Sequence, residues 1–227
     1  MARVDTSYQD HRFIMLGLIH RDPEIRSLLT QWMEAYTPDV ITLEFSPYGY
    51  RFRKSKGAGL SEKVRKVVEA MSAGGRLIDT QALDDILAYI DLPPEFVAAS
   101  GYADGRGIPL HLIDMDLYSR TRLNQMDELV SRDNLVTLTC GPRVGNAGRE
   151  RALARLFFRG GVRLFSYTEE MHARDCHMRD RIAELMAHQC APRVLHVCGW
   201  QHLADPHGLY APLDPTKVFI HDETLRF

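Results

Sequence analysis

Four short apolar runs, Phe13–Leu16, Val40–Phe45, Ile108–Ile113 and Val194–Val197, are separated by longer segments with helical periodicity. That alternation constrains the fold most, because short β-branched runs joined through helices build βα units around a mostly parallel sheet. Asp22 and Pro23 supply an N-cap and a first helical position, after which Ile25, Leu28, Leu29, Trp32, Met33 and Tyr36 fall on one face. This helix is expected to stop near Thr37-Pro38, since the residue before a proline leaves the helical region. Ser61–Met71, Asp79–Ile90 and Pro93–Tyr102 read as further helices, and Val218–Ile220 as an edge strand. A long helix is expected from Ser166 to Gln189, opened by a capping box in Ser166-Tyr-Thr-Glu169. The glycine-rich, basic stretches Arg51–Gly59 and Thr139–Arg149 read as surface loops able to close over an anion. The expected fold is α/β, a mostly parallel central sheet flanked by helices. It forms a single domain over residues 1–227 with a helical insertion at roughly 46–105.

At 227 residues and 45% hydrophobic content, the chain can bury a sizeable core without staples. A net charge of -2 argues against a dedicated nucleic-acid binder, which carries a basic surplus. The four cysteines, Cys140, Cys176, Cys190 and Cys198, are scattered without a Cys-x-x-Cys pair, so neither a zinc knuckle nor a disulfide framework is expected. The opening residues lack the apolar core of a signal peptide, and no apolar run approaches the roughly 18 residues of a membrane span. A cytoplasmic protein with no membrane span and no nucleic-acid partner is expected, with a homodimer left open.

Side chains able to do chemistry sit where the apolar runs end. His20 follows the first, Glu44 closes the second, Asp114 and Asp116 follow the third, and His202 follows the fourth. In a parallel sheet all carboxyl ends share one edge, where ligand crevices form. Two imidazoles with a carboxylate there suit a divalent metal or metal-free acid–base chemistry. The two histidines stand in near-identical settings, Gly17-Leu-Ile-His20-Arg-Asp22-Pro23 and Gly199-Trp-Gln-His202-Leu-Ala-Asp205-Pro206. Each glycine permits a close turn at the sheet edge, and each Asp-Pro is explained by capping. On spacing alone His172, Asp175 and Arg179 form a polar stripe on the late helix, and His207 and His221 have no special spacing. His111 and His196 fall inside strands as core groups, and Cys198 as a buried thiol.

The paired Gly-x-x-His motifs, the PDVITLE segment ending at Glu44, Arg174-Asp175-Cys-His-Met178 and the closing Gly199-Trp-Gln-His202…Gly208 resemble the TraB/PrgY/GumN family. That family groups with Tiki proteases, erythromycin esterases and ChaN-like proteins. The likeness covers roughly the first 45 residues and the last 60. It implies a pocket of His20, Glu44, Arg174, Asp175 and His202, and so changes the reading of Arg174 and Asp175, which spacing alone leaves as surface residues. Tiki relatives are metal-dependent peptidases, esterase relatives open a lactone with activated water, and ChaN-like relatives bind haem or iron.

The resulting expectation is a hydrolase acting on a peptide or small-molecule substrate. Water held between His20, Glu44 and His202 attacks a carbonyl, with or without a divalent ion (Mn, Co, Zn or Fe) on those three residues. Glu44 is expected as general base or ligand, and Arg174 as support for an oxyanion or substrate carboxylate. Asp175 and Arg51 are expected to bind substrate. The alternative is a protein that binds a metal, haem or small ligand without catalysis.

Overall fold

In the computed structural model, which describes residues 6–140, 147–160, 165–188 and 192–226, the apolar runs form one sheet. Its strands are β1 (Phe13–Leu18), β2 (Val40–Leu43), β3 (Leu110–Leu112), β4 (Val194–Gly199), β5 (Thr216–Phe219) and β6 (Asp222–Arg226). The order is β3-β2-β4-β1-β5-β6, with the first five parallel and β6 antiparallel to β5. Every residue of β1, β2 and β4 is buried, as expected of strands covered on both faces. The fold is α/β. Its edge differs from expectation: β5 is internal, and the polar strand Asp222-Glu-Thr-Leu-Arg226 lies outside it. Charge on an outer strand discourages pairing with other chains.

The helices are α1 (Ile25–Tyr36), α2 (Pro47–Ala73), α3 (Thr80–Ile90), α4 (Pro94–Arg106), α5 (Asp116–Leu123), α6 (Met126–Leu129), α7 (Arg132–Cys140), α8 (Ala147–Gly160) and α9 (Glu169–His188). The α1 helix buries Ile25, Leu29, Trp32, Met33 and Tyr36 and ends at Thr37, whose φ is 49°. Arg51–Gly59, read as a loop, lies inside α2 instead. Ser46 caps that helix by accepting the Gly49 amide at 2.9 Å. Gly57 serves packing, since a Cβ there would stand 3.4 Å from the Ile90 carbonyl oxygen. Thr139 and Cys140 end α7 and residues 147–149 open α8, while residues 141–146 of that second expected loop lie outside the described residues. The α9 helix is opened by Thr168, whose hydroxyl accepts the Met171 amide at 3.2 Å, and not by Ser166. Its expected end at Gln189 lies outside the described residues.

The chain divides into two compact units. A sheet unit comprises Met1–Phe45, Pro94–Asp114 and Asn146–Phe227, and a helical unit comprises Ser46–Pro93 and Met115–Gly145. The helical part therefore differs from the expected insertion at 46–105. The α4 helix belongs with the sheet, where Phe96 packs 5.5 Å from Phe45. Residues 115–140 complete the other core, with Leu123, Met126, Val130 and Leu135 packing on Leu60, Val64 and Ile90.

The first motif glycine has a steric reason. A Cβ on Gly17 would stand 2.7 Å from Leu203 Cγ and 3.0 Å from the Trp200 backbone, in the 3-10 turn Trp200–Ala204 that carries His202. Gly17→Ala is expected to cost about 1–3 kcal/mol through overpacking, read as a lower urea midpoint with unchanged slope. An unchanged midpoint would show that the turn retreats freely.

Candidate active site

The site grows from three adjacent strands. β4 lies between β1 and β2, and Leu18 stands opposite Gly199. His20 just past β1, Glu44 just past β2 and the turn after β4 therefore meet at one edge. Glu44 is the hub. Its Oε2 accepts the Gly199 amide at 2.6 Å and lies 3.4 Å from His20 Nε2. Its Oε1 lies 3.1 Å from His202 Nε2 and also accepts from Arg174. A Cβ on Gly199 would stand 2.9 Å from His20 Nε2 and 3.4 Å from Glu44 Oε2, so the second motif glycine keeps this space open.

Each imidazole has its own second carboxylate. His20 Nδ1 pairs with Glu95 at 2.9 Å, and His202 Nδ1 with Asp175 at 2.6 Å. Asp175, fully buried, also accepts the Tyr167 hydroxyl at 2.5 Å and the Tyr210 hydroxyl at 3.0 Å. Arg174 donates through Nε and a terminal nitrogen to Asp114, both at 2.9 Å, besides its bond to Glu44. The carboxylate of Asp205 takes the Leu209 and Tyr210 amides at 2.7 and 3.2 Å, so the second Asp-Pro builds the turn that places Tyr210. Asp22 of the first is gripped by Arg151 at 2.6 Å and accepts the Glu24 amide at 3.0 Å.

Burial opposes charge on Glu44, His202 and His20, and their partners outweigh it. Glu44 is held well below the usual carboxylate range because His202, His20 and Arg174 surround it. Burial pulls His202 down, but the Glu44 and Asp175 carboxylates raise it to about 9. His20 is likewise lifted above its usual 6.5 against burial, by Glu44 and Glu95. With 41% of its side chain open, water partly screens those partners. His196 stands apart: buried, bonded to Thr42 Oγ1 at 2.9 Å, and pulled down to about 4 by burial, it is a neutral core group.

Protein-family profiles, curated proteins and solved structures contain no match to this chain.

The structure brings together His20, Glu44, His202, Arg174 and Asp175. Arg51 lies in the helical unit, 62% exposed, and pairs there with Asp116 at 3.4 Å. Asp116 also accepts the Tyr48 amide at 2.7 Å, which makes it a helix-capping group. Among the described residues no three His, Cys, Asp or Glu side chains stand ready to hold a metal ion, and no helix is long and apolar enough to cross a membrane. Sequence reasoning missed Glu95, Tyr167 and Tyr210. An acid in the first turn of a helix is already explained by the helix dipole, so Glu95 carried no separate signal.

Proposed function

We propose that this chain is a hydrolase of carbonyl substrates, esters or peptides, in which His20 is the acid–base group that meets substrate. One observation carries the reading: each imidazole has Nδ1 on its own carboxylate and Nε2 on the shared Glu44. A carboxylate at Nδ1 fixes the tautomer and stabilises the cation formed when Nε2 takes a proton. His20 is the exposed member, whereas Glu44 and His202 are each 4% exposed. Water at the His20–Glu44 edge gives a proton to Nε2 while its oxygen bonds to the carbonyl carbon. The proton then passes to the departing alcohol or amine as its bond to that carbon breaks. His202, Arg174 and the Gly199 amide hold Glu44 ionised and in place. The motif order that resembles TraB-type proteins supports the same reading.

Because its partners raise His20, the proton-accepting form grows with pH, and hydrolysis is expected to rise from neutral into alkaline solution. Glu95→Gln removes one raising partner and should move that limb about 1 pH unit lower. A panel of esters, lactones and peptides, assayed with wild type, His20→Asn and Glu95→Gln, tests this. An unmoved limb, or turnover surviving in His20→Asn, removes His20 from the chemistry.

A cation-binding reading has its own support in the charge balance. Glu44, Glu95, Asp114 and Asp175 against Arg174 leave three negative charges when both imidazoles are neutral. Two imidazolium protons or one divalent ion would reduce that to one. His20, Glu44 and His202 would hold Mn, Co, Zn or Fe, which when bound polarises a carbonyl and lowers the pKa of water. Assays with these ions against EDTA separate the two. Haem finds less support, because both nitrogens of each imidazole already face carboxylates.

A further inference from the structure

We propose a second, thiolate-containing metal site on the outer side of α9, formed by His172 and Cys176 and completed by His207, that takes zinc or a similarly soft divalent ion. It uses none of the residues assigned to hydrolysis.

His172 and Cys176 are four residues apart on one helix and so share a face. Cys176 Sγ lies 3.7 Å from His172 Nε2. A tetrahedral zinc with its sulfur at about 2.3 Å and its nitrogen at about 2.0 Å spans about 3.5 Å between them. The pair therefore already has the bite of two zinc ligands. The His207 ring stands 5.1 Å from that of His172, edge-on at 80°. Tyr167 backs both rings, 6.4 Å from His172 and 5.5 Å from His207, and its hydroxyl is fixed on Asp175. Two imidazoles and a thiolate select zinc or cobalt over magnesium or calcium.

The ligands are also reachable. His172 and His207 are exposed and Cys176 is half-buried, unlike Cys198, which is buried and whose thiol burial pushes up. The three are not a closed cage as they stand. His207 sits on an exposed turn before Gly208, whose φ is 62°, and is the ring that turns to complete the set. Cys176 becomes a thiolate on binding and releases its proton to solvent.

The test is titration of cobalt(II) into the reduced full-length protein. One equivalent should give a near-ultraviolet thiolate-to-cobalt charge-transfer band that zinc abolishes by displacement. The band should persist in His20→Asn and vanish in Cys176→Ser. His172→Asn and His207→Asn should each weaken binding about tenfold or more. A protein that binds cobalt without the band, or keeps the band in Cys176→Ser, overturns the site, leaving a thiol–imidazole hydrogen bond only. Loss of the band in His20→Asn would overturn its independence from the strand-end site, and unchanged affinity in His207→Asn would overturn the third ligand. Hydrolysis need not be detected for any of these outcomes.

Discussion

Asp175→Ala is expected to destabilise the sheet unit by about 3–5 kcal/mol, the cost of removing one partner from a buried charged pair. The size follows from what the carboxylate holds: His202 Nδ1, the Tyr167 hydroxyl and the Tyr210 hydroxyl, with no exposure of its own. Alanine leaves three donors around a cavity, and the nearest remaining anion for His202 is Glu44 on its other nitrogen. The loss should depend on pH. His202 is raised in the folded chain from 6.5 to about 9, so the stability it contributes is complete below pH 6.5 and is lost as pH rises through about 9. Asp175 is one cause of that raise. The deficit of the variant should therefore be largest near pH 6 and shrink toward pH 9, while the two hydroxyls keep it above zero. Urea unfolding at a series of pH values checks both parts. A deficit that does not change between pH 6 and 9 would show that Asp175 does not hold the imidazolium.

The reach of the sequence can be judged from particular residues. His20, Glu44 and His202 were legible because each ends an apolar run, and a parallel sheet gathers such ends at one edge. Asp175 was legible in a way that spacing alone did not exploit. It stands three residues before Met178 and seven before Ile182, the buried stripe of α9, so it lies on the core-facing side of the helix. An acid on such a stripe must find donors inside. Arg174 emerged only through the motif resemblance. Glu95 was hidden because its position is favourable in any helix. The α2 helix was cut short because glycine was read as a breaker, whereas Gly57 marks a close approach to Ile90. The edge strand β6 was invisible since Asp222–Arg226 lacks an apolar alternation. For Glu95 and Gly57 a local explanation concealed a tertiary one, whereas β6 gave no local signal at all.

Glu44→Gln should lower kcat by about 10²–10⁴-fold, the usual contribution of a positioned acid–base partner. The glutamine is nearly isosteric, and its carbonyl can still accept the Gly199 amide or Arg174. Arg174 retains both bonds to Asp114, so the fold is expected to survive. What changes is charge. The Glu44 carboxylate is the strongest influence raising both His20 and His202, and without it burial acts on the rings with only Glu95 and Asp175 in opposition. Both imidazole titrations, followed by NMR, should move toward lower pH. The two measurements together separate mechanism from architecture. If both rings titrate lower while hydrolysis of an established substrate is unchanged, Glu44 sets the electrostatics of the edge but takes no part in the reaction. If neither ring moves, the carboxylate is not the shared partner of the two histidines.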